Sequence, residues 1–393
     1  MLARRGLLIV GVAALVAGAG GCGGNSGPPE GSLDRLGAPE GHLNLIALPG
    51  YVRDGSQDPA VDWVTPFERQ TGCTISSTIA SSPDQVLRLM RGNGYDGVAA
   101  RGDVSGTLVD EDLVSPINTD LIPAYTGLFP ALKSLPSNKV DGTTYGIPIG
   151  RLVNFLVWRT DLIHMPHDEP PTSNVLFDPS VVSRNGGRIG AYDSPMSIAD
   201  AALYLKKHRK DLGIGDVYEL DDEQFAAAIA LLRAQRPRIG AYWRTAGQSV
   251  RNFVSGATIA GPAWQTSING MLHARLKIRA TVPDEDSTGI SDAWMISSHA
   301  QHPTCMYEWM NYISSPGPNS ALAEQTGQAP ASEHACDLTV KPEFCDTYRA
   351  ADEQLFNKVD FWTTPLRDCG DDRGDTCAGY GEWARAWREV TGR

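Results

Sequence analysis

Leu43-Asn44-Leu45-Ile46-Ala47-Leu48, ended by Pro49-Gly50, is a short apolar run closed by two strong chain breakers. It reads as a strand that stops at a turn. Downstream, Trp63 to Arg69 reads as a helix, with Asp58-Pro59 as its start and Thr71-Gly72 as its end. Cys73 to Ile79 alternates like a second strand. Ser82-Pro83 opens another helix carrying Val86, Leu87, Leu89 and Met90, and Tyr95 to Ala99 is a third strand. Strand and helix alternate, so this part is α/β with a mainly parallel sheet.

The same reading extends through the chain. Arg188 to Tyr192, Thr258 to Trp264 and Ala293 to Ser297 look like strands. Ala201 to Lys207 is a helix after Ser194-Pro195. Phe225 to Ala234 is another, preceded by Asp221-Asp222-Glu223, acids suited to a helix N-terminus. Pro303 to Ile313 places Met306, Trp309, Met310 and Ile313 on one face, and Glu382 to Val390 is a short final helix. Trp158, Trp294 and Trp309 fall on these patterns and read as core. No internal repeat is present.

The N-terminus is different. Arg4 and Arg5 precede an apolar run from Gly6 to Val16, then small residues from Ala17 to Gly21, then Cys22. That is a signal peptide over residues 1–21, with an apolar run short for a membrane span. Small residues directly before a cysteine resemble a bacterial lipobox, although Ala19 stands where leucine is usual. Cys22 is therefore the expected lipidation site, anchoring an exported chain to the outer face of the cell membrane. Arg4-Arg5-Gly6-Leu7-Leu8 leaves twin-arginine and general export both open. Gly23 to Glu40 is poor in apolar residues and reads as a tether, so residues 22–41 are expected outside the folded body.

The roughly 350 residues that follow are long enough for two domains. A formal net charge of -12 argues against nucleic acid as a partner. Six further cysteines, Cys73, Cys305, Cys336, Cys345, Cys369 and Cys377, read as disulfides in an exported chain. Fifteen pairings are possible. Cys336–Cys345 and Cys369–Cys377 are the simplest closures and leave Cys73 with Cys305. No C-x-x-C spacing occurs and the histidines are scattered, so no metal and no cofactor are expected. The Asp371-to-Asp375 segment lacks the spacing of a calcium loop. G-x-S-x-G, H-E-x-x-H and P-loop motifs are absent, and an enzyme is not expected.

An ordered set of segments carries a resemblance. Phe67-Glu68-Arg69-Gln70-Thr71-Gly72, Gly94-Tyr95-Asp96-Gly97-Val98 and Tyr145-Gly146-Ile147-Pro148 come first. Ala191-Tyr192-Asp193-Ser194-Pro195, Gly261-Pro262-Ala263-Trp264, Ser291-Asp292-Ala293-Trp294-Met295-Ile296 and Phe361-Trp362-Thr363-Thr364-Pro365 follow. Together they resemble extracellular solute-binding proteins of ABC importers, in particular the spermidine/putrescine-binding family. The tail around Cys369 and Cys377 is similar to actinobacterial members.

The resemblance implies a two-lobed periplasmic-binding-protein-like fold of type II, with mixed, mainly parallel sheets and flanking helices, a monomer, and two hinge crossings near Asn154–Thr160 and Glu285–Ala293. Lobe 1 would hold residues 42–155 and 291–345, lobe 2 residues 156–290, and residues 346–393 would pack across both and close the cleft. A small amine-bearing solute, such as a polyamine, would bind between the lobes and pass to a membrane permease. The residues carried over for the cleft are Tyr51, Arg101, Asp103, Arg151, Asp193, Ser194, Trp264, Asp292, Trp362 and Thr363. Carboxylates would pair with the amines, and aromatic faces would add cation–π attraction.

Four positions depart from the polyamine pattern. Leu48 and Ile290 stand where tryptophans are expected, and Ser194 and Ser197 stand where further carboxylates are usual. Arg101 and Arg151 also introduce guanidinium forks suited to an acid group. A zwitterionic or anionic solute, an opine-like compound among them, and a ligand-presenting sensor are the alternatives. Asp193 has a second reading as a helix cap, and Arg151 as a partner of Asp103. Cys22→Ser is expected to abolish metabolic labelling with an alkyne fatty acid and to free the protein from the membrane. Membrane retention of the variant would contradict the anchor.

Overall fold

The computed structural model describes residues 28–165, 171–184 and 187–393. The signal segment and Cys22 lie outside the described residues. In chain order, β1 (His42–Ala47), β2 (Thr74–Ile79) and β3 (Gly97–Arg101) are separated by helices Val64–Thr71 and Pro83–Met90. Helical crossovers return the chain in the same direction, so β1 pairs in parallel with both β2 and β3. The first helix begins later than Asp58-Pro59 implies. Asp62 accepts the Thr65 N–H at 2.9 Å and fixes its start.

A hairpin of β4 (Lys139–Val140) and β5 (Thr143–Thr144) precedes β6 (Ile147–Val153). The chain then enters a second sheet made of β7 (Phe155–Arg159), β8 (Ile189–Tyr192), β9 (Ile239–Trp243), β10 (Ala260–Ala263) and β11 (Ile278–Thr281). It returns through β12 (Ser287–Ile296), β13 (Ala329–Pro330) and β14 (Val359–Phe361). The first sheet has the order β13-β6-β12-β3-β1-β2 with β14 beside β12, and the second β11-β7-β10-β8-β9.

Both sheets are mixed. The returning strand β12 runs antiparallel to β3 and β6, and β7 runs antiparallel to β10 and β11. A chain that leaves one lobe and comes back must lay strands in both directions, which the local strand–helix rhythm does not reveal. The pairings put the crossings at Asn154 and between β11 and β12. Phe155 already belongs to the second lobe, and Ser287 to the first.

The crossings are tied to each other. Asn154 donates its N–H to the Thr288 carbonyl at 3.0 Å and its Nδ2 to the Thr288 hydroxyl at 2.6 Å. The Ser287 hydroxyl donates back to the Asn154 carbonyl. The tail makes a further crossing. Phe361 packs in the first lobe's core, whereas the next residue, Trp362, packs in the second's. Helix Tyr380–Thr391 then buries Trp383 and Trp387 against the second lobe.

Part of the expected tether is docked on the body. Leu33 and Leu36 pack against the first lobe's core. Glu40 accepts the N–H groups of Thr304 and Cys305, both at 2.9 Å, at the start of helix Pro303–Ser314. A carboxylate there satisfies orphan donors and meets the positive end of the helix. Composition alone hides this, because a few leucines and one glutamate suffice.

Cys73 is bonded to Cys305, Cys336 to Cys345 and Cys369 to Cys377. The first closes 232 residues of chain, the others 9 and 8. A longer loop removes more entropy from the unfolded chain. Replacing Cys73 and Cys305 by Ala should lower unfolding free energy by about 2–4 kcal/mol in urea titrations. A larger loss from the Cys336/Cys345 double variant would contradict this ordering.

Candidate binding cleft

Strand register assembles the first half of the site. Asp292 on β12 lies opposite Arg101 at the end of β3, so both side chains share a face. Arg101 Nε stands 3.3 Å from Asp292 Oδ1. Tyr51, on the turn after β1, donates its hydroxyl to Asp292 Oδ2. Gln328 Nε2 donates to the same Tyr51 oxygen at 2.8 Å, which turns the tyrosine proton toward the carboxylate. Gly150 flanks Asp292 on β6, and a side chain there would run into Gln328 and the Ala329 carbonyl.

Asp103 sits in the first turn of helix Gly102–Asp110, directly after Arg101. Its side chain is buried, and burial pushes its carboxyl up to about 6. Burial likewise raises Asp292, against the opposing pull of Arg101. Burial pulls the Arg101 guanidinium down, but the charges of Asp292, Tyr192 and Asp103 outweigh it and hold it up. Two carboxylates thus face one guanidinium, so ionisation of both leaves one net negative charge in a dry setting. A cation is the species that balances it.

Aromatic rings from the second lobe and the tail form the other half. Tyr192 at the end of β8 lies 4.8 Å from Trp243, 5.3 Å from Trp264 and 5.8 Å from Trp362, between ring centroids. Trp243 and Trp264 meet edge to face at 4.9 Å. Trp264 also donates its indole N–H to Asn154 Oδ1 at 2.9 Å, which ties one wall to the crossing. Tyr192 feels the charges of Arg101, Asp103 and Asp292, so the aromatic group lies against the charged one.

Thr364 docks the tail. Its hydroxyl donates to the Gly102 carbonyl at 2.7 Å and accepts the Gly106 N–H at 2.8 Å. A side chain at Gly102 would collide with the Trp362 carbonyl. Thr363 bonds only back to the Phe361 carbonyl, at 3.3 Å, among the described residues. The neighbouring threonine therefore takes the role that the sequence assigns to Thr363.

Three more sequence-derived assignments are corrected. Arg151 pairs in register with Ser291, one residue from Asp292, and so points to the opposite face. It donates to the carbonyls of Arg349 and Ala350, lies over Phe356, and has its guanidinium drawn down by burial to about 10. It meets neither the cleft nor Asp103. Asp193 accepts from Arg244 Nε at 2.8 Å, from Trp387 Nε1 at 3.1 Å and from Arg393. Burial would raise its carboxyl, but these three partners outweigh burial and lower it. Its charge is already balanced, and it does not cap the following helix, whose flanking residue is Met196. Ser194 accepts the Met196 N–H at 3.2 Å and shapes that turn.

Tyr192, Trp243 and Gln328 complete the site without having been singled out in the sequence. Tyr192 and Trp243 carried one signal: each is the last residue of a strand in the second lobe, the end from which Trp264 also projects. Gln328 carried none.

A family model for the bacterial extracellular solute-binding protein family matches residues 62–345. A putrescine/cadaverine-binding protein of Pseudomonas aeruginosa is 21% identical over 306 residues, 75% of this chain and 82% of that protein. Among solved structures, a putative spermidine/putrescine ABC transporter protein from Listeria monocytogenes has a TM-score of 0.68 at 16% identity. It covers 89% of this chain and 98% of its own. The TpPotD lipoprotein of Treponema pallidum has a TM-score of 0.67 at 16% identity, covering 90% of this chain and all of its own (100%). The structural likenesses establish the fold.

Asp193→Ala should cost about 1 kcal/mol of stability, because it strands the part-buried Trp387 indole N–H, whereas Arg244 and Arg393 are exposed and turn to water. Urea denaturation measures it. An unchanged midpoint would remove Asp193 from this structural role.

Proposed function

Given that the chain belongs to the bacterial extracellular solute-binding protein family, we propose that it captures a small polyamine in the cleft and delivers it to an ABC permease. One observation carries the reading. The buried Tyr51–Asp292–Arg101 group with Asp103 holds an excess negative charge beside four aromatic rings. An ammonium group balances that charge, and each aromatic face adds roughly 0.5–2 kcal/mol. The named binding of putrescine and cadaverine by the Pseudomonas aeruginosa relative points the same way. Binding energy made only when both halves meet favours the closed arrangement of the lobes.

A lipid on Cys22 fits this role, as it would hold the binder near its permease and raise the effective concentration. The similar Treponema pallidum protein is itself a lipoprotein.

Arg101 favours a second reading. Its Nε faces Asp292 Oδ1 at 3.3 Å, while among the described residues its two terminal nitrogens make no hydrogen bond to protein, which leaves them as donors for a ligand acid group. A zwitterion would then place its amine on the carboxylates and its acid on Arg101. The two readings separate in one calorimetric series with putrescine, spermidine and γ-aminobutyrate. A polyamine binder binds the first two, loses at least tenfold affinity in Asp292→Ala and Trp264→Ala, and keeps affinity in Arg101→Ala. Collapse of binding in Arg101→Ala, with preference for the zwitterion, would replace the polyamine reading. No effect of Asp292→Ala or Trp264→Ala would reject the site.

A further inference from the structure

The second lobe has a small cavity of its own behind Tyr192, about 60 Å³ in volume. Leu156, Leu203 and Leu232 supply apolar wall, and Asp200, Glu285 and Asp286 supply carboxylates. Among the described residues, no Lys, Arg or His lines it. The cavity is thus lined by apolar side chains and carboxylates.

The three carboxylates are not equivalent. Glu285 is engaged, accepting the Ser173 N–H at 2.8 Å and meeting His208 Nε2 at 2.8 Å. Asp286 is exposed at the mouth. Asp200 projects from helix Ser197–His208, and among the described residues its one hydrogen-bond partner is the Thr288 hydroxyl at 2.7 Å. That hydroxyl already accepts from Asn154 Nδ2, so its proton is committed to Asp200 Oδ1. The second carboxylate oxygen is left for the cavity.

Two other carboxylates with buried side chains have cationic partners: Asp292 has Arg101, and Asp193 has Arg244 and Arg393. Among the described residues Asp200 has none, and burial pushes its carboxyl up to about 7. A desolvated carboxylate of this kind gains most from a cation that brings its own counter-charge and little polar surface. A divalent metal does not suit it: among the described residues no group of three or more His, Cys, Asp or Glu could hold one. An anion would face only like charges.

We propose that this cavity is a second amine site, taking a primary alkylammonium with its charge on Asp200 and its chain against the leucines. The site is independent of the cleft ligand, although the Thr288–Asn154–Trp264 bonds connect the two.

The test uses n-butylamine on the folded, full-length mature chain, followed by NMR shift titration at pH 8. Asp292→Asn serves as the background in which Asp103 and Arg101 balance and the cleft carries no excess negative charge. That background should titrate saturably, and adding Asp200→Asn should weaken binding at least tenfold while n-butanol binds no better to either. Asp200→Asn keeps an acceptor for Thr288, and its melting curve verifies folding. Leu203→Phe, which narrows the cavity and leaves Asp200 in place, should also weaken binding. Equal titration with and without Asp200→Asn, or no saturable titration in the background, overturns the second site. Putrescine binding to the wild-type chain is measured alongside, so failure of the cleft reading registers separately.

Discussion

The Asp292 carboxylate accepts the Tyr51 hydroxyl and faces the Arg101 guanidinium at 3.3 Å, on a strand whose ten residues are all buried. That strand, β12, pairs with β6, β3 and β14, and its first residues are bonded to Asn154 at the other crossing. One element therefore sets both the position of the charge and the path of the hinge. Burying a charge is tolerable only where its partners are fixed, and the paired strands fix them. The dry setting that raises Asp103 and Asp292 also makes an incoming cation worth more than it would be in water.

The second lobe answers with rings rather than charges. Tyr192, Trp243 and Trp264 end neighbouring strands, and the tail brings Trp362 to them. Thr364 holds the tail on helix Gly102–Asp110 of the first lobe, so the segment that carries Trp362 is anchored on both sides. The cleft is thus built from both lobes and the tail, and its rings and charges meet only when all three are in place. Trp264, bonded to Asn154, links ring position to hinge position directly.

Much of the strand and helix order was legible because apolar periodicity and Pro/Gly punctuation are local signals. The structure brings Tyr51, Arg101, Asp103, Trp264, Asp292 and Trp362 together, and each was legible because it follows or lies within a recognisable strand segment. Arg151 failed for a reason of register: a single residue's offset from Asp292 turns it to the other face. Asp193 failed because its partners, Arg244 and Arg393, arrive from 51 and 200 residues away. Gln328 and the docking of Glu40 were invisible for the same reason, since no local pattern encodes a distant partner. The mixed sheets arose from the return of the chain, a property of the path and not of any window of sequence.

The central claim is that buried carboxylates, one of them partly protonated near neutral pH, receive a cation. Putrescine calorimetry at pH 6, repeated in buffers of different ionisation enthalpy, tests it most directly. A free Asp103 raised to about 6 is roughly half protonated there, and a bound cation favours its ionised form. The account predicts proton release on binding, and affinity that rises as pH increases through about 6. Proton uptake at pH 6, or affinity that falls over that range, would contradict it.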